Sequence, residues 1–298
     1  MIFILGFGRS GTTWISDVIS KSLGGLVLFE PLHPQVLTNA LEFCYYDGKN
    51  NTQNSQLKIY IDGILKGDFS HRWMIRNHLP TPLESPSDWY VQQILENCKI
   101  KGFKEIRANF IIDFLKANYP DSHILFVKRN PFAVLASIKK RNRFWEEFTM
   151  DAHIKRFTHT IRNNEYLTAA EKDQYEELIS TYNKPLELSA ILWIYTHKIV
   201  DRNLSKYNDS PISYEELYFS PYEGLTKLVT KVGGDPKRMH PSYIFTPSML
   251  TLKTRHTLMN RSDNQIEGYN DLFWKNSLSS EEIRTTEELF NKADYLNL

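Results

Sequence analysis

The sequence predicts an α/β fold: one central, mostly parallel β-sheet flanked by helices. Two patterns carry the prediction. Short apolar runs of strand length alternate along the chain with longer stretches whose apolar residues recur at helical spacing. The first apolar run, Ile2-Phe3-Ile4-Leu5, also passes through a glycine-rich turn directly into a helix-like segment, the usual entry into a parallel sheet. Composition agrees with this. The chain is 41% hydrophobic and 24% charged, near the globular average, and its 298 residues suffice for a sizeable core.

Taken in order, residues 2–5 read as a buried strand stopped by Gly6, and Thr12 to Lys21 as the helix that follows. Leu26–Phe29 reads as a second strand, broken by Pro31 and Pro34. The pattern weakens from about Gln35 to Asn97: Asn50–Gln56 is polar and loop-like, and Pro80, Pro82 and Pro86 punctuate another loop. Strands return at 100–104 and 123–128, with an amphipathic helix at 109–118 between them. Asn130-Pro131 is an N-cap followed by proline at the first helical position, and that helix runs to about Arg143. Residues 145–180 look helical and charged. Residues 186–204 carry a strong apolar helix pattern through Leu188, Ile191, Leu192, Tyr195 and Ile199. A short strand at 211–214, a helix at 221–232 and a last helix from Ser279 complete the reading. The expected organisation is one domain over 1–298, with an irregular excursion at about 35–98 and a helical insertion at about 144–185 that shape a substrate site.

A formal net charge of +1 argues against a general nucleic-acid binder, though not against a local pocket for a small polyanion. Two cysteines, Cys44 and Cys98, make no disulfide framework and suit a reducing compartment. The apolar start is too short for a secretory signal, and no run approaches the length of a membrane span. Read as a complete chain, the protein is expected in the cytoplasm. No His/Cys group has metal-ligand spacing, so no metal is expected.

Chemistry concentrates at two strand–helix junctions. In Gly6-Phe7-Gly8-Arg9-Ser10-Gly11-Thr12-Thr13, Gly6, Gly11 and Thr13 fit the triphosphate-loop pattern GxxxxGK[ST], but position 12 is threonine where that pattern has lysine. Glycines let the backbone curl around an anion, and successive N–H groups then point at it. The cation moves to Arg9, which suits a shorter anion. At the second junction the strand 123–128 ends in Lys128-Arg129, just before a helix N-terminus. Two cations there make sense with an anion between them and the helix.

Arg9-Ser10-Gly11-Thr12-Thr13-Trp14 resembles the 5′-phosphosulfate loop of sulfotransferases that use PAPS (3′-phosphoadenosine 5′-phosphosulfate), in the arginine form of many carbohydrate and bacterial members. The segment 127–137 resembles the family's 3′-phosphate motif, which implies that Arg129 and Ser137 bind that phosphate. Ser213-Tyr214-Glu215-Glu216-Leu217 is similar to a family segment whose tyrosine lies near the adenine, and 253–262 to its C-terminal cofactor loop, with Arg255 and Thr257 as candidate contacts. The resemblance implies a P-loop-like domain and transfer of a sulfuryl group from PAPS, with PAP as product. Gly8, Arg9, Ser10, Gly11, Thr12, Thr13 and Trp14 then cradle the donor. The Glu30-Pro31 pair is similar to one in the arginine-type carbohydrate enzymes, where the glutamate acts as base. His33 is the rival, and a salt bridge to a pocket cation is the plain structural alternative for Glu30. Lys101, Lys104 and Arg107 reach acceptor or donor, or simply face water. The acceptor is expected to be a hydroxyl of a carbohydrate or glycolipid, with a small alcohol or phenol as the alternative. Trp73, Trp89, Phe144 and Trp145 are candidates to stack on it or to be local core. A divergent nucleotide kinase and a non-catalytic nucleotide-binding module are the competing classes. The missing lysine and the cationic end of strand 123–128 both speak against the kinase. Oligomeric state is left open.

Overall fold

A computed structural model provides the architecture. It describes residues 1–38, 43, 46, 50–69, 71–76, 88–141, 150–239, 244 and 274–293. One sheet of five strands organises the chain: β1 (Ile2–Gly6), β2 (Leu26–Phe29), β3 (Ile100–Glu105), β4 (His123–Lys128) and β5 (Ile212–Ser213). Their order is β2-β3-β1-β4-β5, with every neighbouring pair parallel. β1 is central, buried throughout, and bonded to β3 on one side and β4 on the other. Gly102 makes the close approach of β3 to β1 possible: at φ 150°, a Cβ there would lie 1.7 Å from the Ile2 carbonyl oxygen.

Side chains alternate across this sheet. Phe3, Leu5, Leu28, Phe103 and Phe126 belong to one cluster, with Leu57 and Ile61 of helix α2 (Asn51–Lys66) and Leu115 of helix α4 (Ile112–Asn118). Ile4, Val27, Leu125 and Val127 turn to the other face, against Ile15, Val18 and Ile19 of α1 (Thr12–Leu23) and Leu225 of α10 (Pro221–Lys231). Each large apolar side chain buried this way contributes about 1.5–3 kcal/mol. Between these two helices of the sequence lies α3 (Asp88–Asn97), and α5 (Pro131–Arg141) follows β4. A third cluster surrounds α8 (Pro185–Ser205), whose Trp193 and Tyr195 pack with Phe157 of α6 (Met150–Asn163), Tyr175 of α7 (Ala169–Thr181) and Phe290 of α11 (Ser280–Lys292). Short α9 (Tyr214–Phe219) leads from β5 into α10. Among the described residues, no helix is long and apolar enough to cross a membrane.

Most expected elements stand within a few residues of their predicted bounds. The excursion after β2 differs. Residues 51–56, expected as a loop, open helix α2, because the Asn50 side chain accepts from the N–H groups of Thr52 and Gln53 at its start. Its apolar stripe is narrow, with Leu57, Ile61 and Ile64 buried on one side, so its period is faint in the sequence. Asp62 lies on this helix and accepts from Lys58 and the Tyr119 hydroxyl. The expected helical stretch 145–180 contains two helices, α6 and α7, separated where Asn164 bonds Tyr195 and a Thr168/Glu171 capping box starts the second. Residues 142–149 lie outside the described residues.

Candidate active site

The carboxyl ends of all five strands face one side, where ligands of parallel sheets bind. Each brings polar groups there: the 7–11 loop after β1, Glu30 after β2, Lys104 to Arg107 at β3, Arg129 after β4 and Tyr214 after β5.

The loop after β1 is tightly wound. Ser10 N–H donates to the Phe7 carbonyl at 3.1 Å, and both Arg9 and Gly11 take left-handed backbone, at φ 74° and 89°. For a non-glycine residue this costs about 1–2 kcal/mol. Such strain gathers at functional sites, where the surrounding structure holds it. At Gly11 a side chain is excluded twice over: the φ disfavours it, and a Cβ would sit 2.3 Å from two ring carbons of Tyr214. Asn109 anchors the base of the loop by accepting from Gly6 N–H at 3.1 Å. Thr12 is buried against Gly6, so it presents its backbone rather than its side chain to the loop. The Ser10 hydroxyl is buried with no partner among the described residues.

The predicted residues of the two junctions meet. Arg9 Nε donates to Ser137 Oγ at 2.9 Å, and an Arg129 guanidinium nitrogen donates to the Arg9 carbonyl at 2.9 Å. The Arg129 guanidinium lies 4.5 Å from the centre of the Tyr214 ring, a cation–π contact. Trp14 meets the same ring edge-on at 5.7 Å and donates its indole N–H to the Ile244 carbonyl. Asn130 serves as N-cap of α5 by accepting from Ala133 N–H, and its own N–H donates to Glu215. Tyr214 therefore bridges the glycine loop and Arg129. Gly8 and Thr13 stand in the same loop and first helical turn. Arg255 and Thr257 fall outside the described residues, as do Phe144 and Trp145.

A second group forms beside the loop. Glu30, at φ 42° and nearly buried, pairs with Lys104 Nζ through one carboxylate oxygen and with Arg107, at 3.1 Å, through the other. Burial alone pushes its carboxyl up, but Lys104 and Arg107 outweigh burial and hold it down at about 2. His33 is also buried. Its Nδ1 accepts from Gln35 N–H at 3.1 Å, and its ring stacks on Trp73 at 3.9 Å. Arg76 lies over the same indole at 4.3 Å, so Trp73 is covered by its own neighbours, whereas Trp89 is 69% exposed. Of the three β3-region cations, Lys104 and Arg107 reach Glu30. Lys101 packs on Gly25 at the opposite end of the strand. Neither Asn109 nor Glu105 stands out in the sequence.

Among the described residues, no group of three or more His, Cys, Asp or Glu side chains is placed to hold a metal ion. The fold and the cluster define a class: a parallel α/β protein whose glycine loop meets two arginines beside a buried carboxylate. The sequence profile of the sulfotransferase family matches residues 2–180, and the chain belongs to that family. Among solved structures the chain is similar to the sulfotransferase domain of the Synechococcus PCC 7002 olefin synthase, at 14% identity and TM-score 0.45 over 97% of this chain and 93% of that one. It is also similar to sulfotransferase STF9 from Mycobacterium avium, at 13% identity and TM-score 0.43 over 99% of this chain and 76% of that one. No curated protein sequence matches it.

Proposed function

We propose that the chain transfers a sulfuryl group from PAPS to an acceptor hydroxyl, that of a carbohydrate or glycolipid. The observation that carries this reading is the contact of Arg9, Ser137, Arg129 and Tyr214 around the glycine loop, which brings two anion positions into one cluster. The residues fit the donor. The Ser10 hydroxyl, buried with no partner among the described residues, leaves hydrogen-bonding capacity at the loop, and Gly11 lets the Tyr214 ring close against it.

When bound, the donor supplies an activated sulfuryl group on a phosphate leaving group. Arg129 and Ser137 hold the 3′-phosphate. Backbone N–H groups of the loop other than that of Ser10, with those at the start of α1, hold the 5′-phosphate. Arg9 neutralises charge growing on that phosphate; an arginine does this without giving up a proton. Ser137 accepts from Arg9 and keeps its own O–H to donate to the 3′-phosphate. Glu30 accepts the hydroxyl proton on a carboxylate oxygen. His33 suits that role less. With Nδ1 accepting from Gln35, the neutral ring carries its proton on Nε2 and offers a donor there. The segments 35–98 and 144–185, within one domain, shape the acceptor site, and no metal takes part.

A nucleotide kinase is the weaker reading, because Thr12 packs on the sheet where that class extends a lysine. The test is transfer itself: the protein, PAPS and a set of defined oligosaccharides, glycolipids and phenols, analysed by mass spectrometry without metal. A sulfated glycan is the expected product. Sulfation of phenols alone would replace the acceptor class, and no PAPS consumption with any acceptor would remove the reading.

A further inference from the structure

Glu105 ends β3 with no exposed surface, and the roles above leave it unused. Its carboxylate is nevertheless the most heavily bonded in the site. Oε2 accepts from Leu32 N–H at 2.8 Å. Oε1 accepts from the N–H of Ile106 at 2.9 Å, from that of Arg107 at 3.1 Å, and from the Arg107 guanidinium at 3.4 Å. Those partners lie in the two segments that leave the carboxyl ends of β2 and β3. Leu32 stands between Glu30 and His33. The Arg107 guanidinium nitrogen that reaches Glu105 also donates to Glu30 Oε2 at 3.1 Å. The Glu30 backbone is tied to the same strand, its N–H donating to the Lys104 carbonyl at 2.7 Å. One buried carboxylate thus fixes both the main chain that carries Glu30 and His33 and the cation that grips the Glu30 side chain. Burial pushes the Glu105 carboxyl up from its ordinary value, against the pull of Arg107 and Lys104 and with the Glu30 charge adding to the rise.

We propose that Glu105 and Arg107 form a positioning pair for the transfer: Glu105 fastens the 30–33 segment to the end of β3, and Arg107, gripped by Glu105, pairs with the Glu30 carboxylate and orients it. The proposal rests on Glu30 as the base. The charged and titratable groups around Glu30 are Lys104 and Glu105 on β3, Arg107 beyond it and His33 on its own segment. Tyr60 of α2 donates to the Pro31 carbonyl, and Arg76 lies over the Phe29 ring.

The test uses the full chain with carboxyl-labelled glutamate, titrated by carbon NMR between about pH 4 and 8, a window that spans the ordinary carboxylate range. Glu30→Gln assigns the Glu30 signal, and PAPS turnover with water as acceptor reports whether Glu30 acts as base. In the parent protein the Glu30 carboxyl is expected to stay ionised throughout the window. In Arg107→Gln, burial is opposed by Lys104 alone, and the signal is expected to rise by at least about two pH units, which brings its titration into the window. In Glu105→Gln, hydrogen exchange at the Leu32 amide is expected to quicken about tenfold or more while β4 amides stay unchanged. A Glu30 signal as silent in Arg107→Gln as in the parent overturns the pair, as does unchanged Leu32 exchange in Glu105→Gln. The base reading survives either result provided Glu30→Gln slows turnover. Parental turnover by Glu30→Gln removes both the base and the pair. If Glu105→Gln fails to fold, Arg107→Gln decides alone.

Discussion

At Arg9, an L-residue in left-handed backbone, the chain accepts strain in order to place a guanidinium on Ser137 and a carbonyl on Arg129. Glu30 repeats the device at the end of β2. Two predictions belong to this scale. Arg9→Ala is expected to slow transfer about 10²–10³-fold, the usual loss for a group aimed at developing charge, with a much smaller change in PAP affinity. Steady-state rates and calorimetry separate the two. Gly11→Ala is expected to lose PAP binding and at least about 1 kcal/mol of stability, since it meets both an unfavourable φ and the Tyr214 ring. Parental binding by this variant would show that the loop is not the donor cradle. At this scale the sequence disclosed residues that sit in short motifs: Arg9, Arg129, Ser137 and Tyr214. It did not disclose Asn109 or Glu105, because each acts through one distant backbone group, 103 and 73 residues away. No local pattern marks such a partner. The pairing of Glu30 with Lys104 and Arg107 was weighed as an alternative, but only folding reveals that both cations arrive.

Elements were legible where burial imposes a period. β1, β2 and β4 are continuous apolar runs because helices cover both faces of the sheet, and α8 is apolar nearly all round because helices enclose it. Helix α2 was not legible: a surface helix with a narrow apolar stripe leaves its start to one capping side chain. Asn50→Ala is accordingly expected to cost about 1 kcal/mol, read from chemical denaturation, whereas Asn51→Ala should cost little. The α7–α8 contact carries an acid-sensitive element. Glu171 is held well below the usual carboxylate range by hydrogen bonds from Arg202 and by Lys198, against burial. A depressed folded value stabilises above the unfolded one, about 4.3, and that contribution fades as pH falls below it. Glu171→Gln should therefore be less stable than the parent near neutrality and approach it in acid, as denaturation at several pH values will show.

Over the whole molecule, the sheet order places β3 between β2 and β1, so Glu30 and Arg9, the proposed base and the proposed donor contact, are separated by one strand. Alternation of strands and helices predicted the parallel sheet but not this order, which depends on pairings between distant segments. A molecular-scale pH dependence follows from His197, buried in the α8 cluster beside Phe126 and stacked on Trp193. Burial, against a hydrogen bond to the Trp193 carbonyl, lowers it from 6.5 to about 3. The depressed value contributes stability above pH 6.5 that is lost as pH falls toward 3, with a slope of up to about 1.4 kcal/mol per pH unit. His197→Phe should flatten that slope in denaturation curves. An unchanged slope would assign the acid sensitivity elsewhere.

On the proposed function, the loop after β1 and the junction after β4 form one site for a 3′,5′-bisphosphorylated adenosine. Calorimetric titration of PAP into the protein without metal, with ATP as competitor and Arg129→Ala as control, tests it most directly. Clear PAP binding is expected, with little binding of ATP and affinity at least about tenfold weaker in Arg129→Ala, as removal of a charged hydrogen-bond donor implies. Absence of PAP binding, or a metal-dependent preference for ATP, would contradict it.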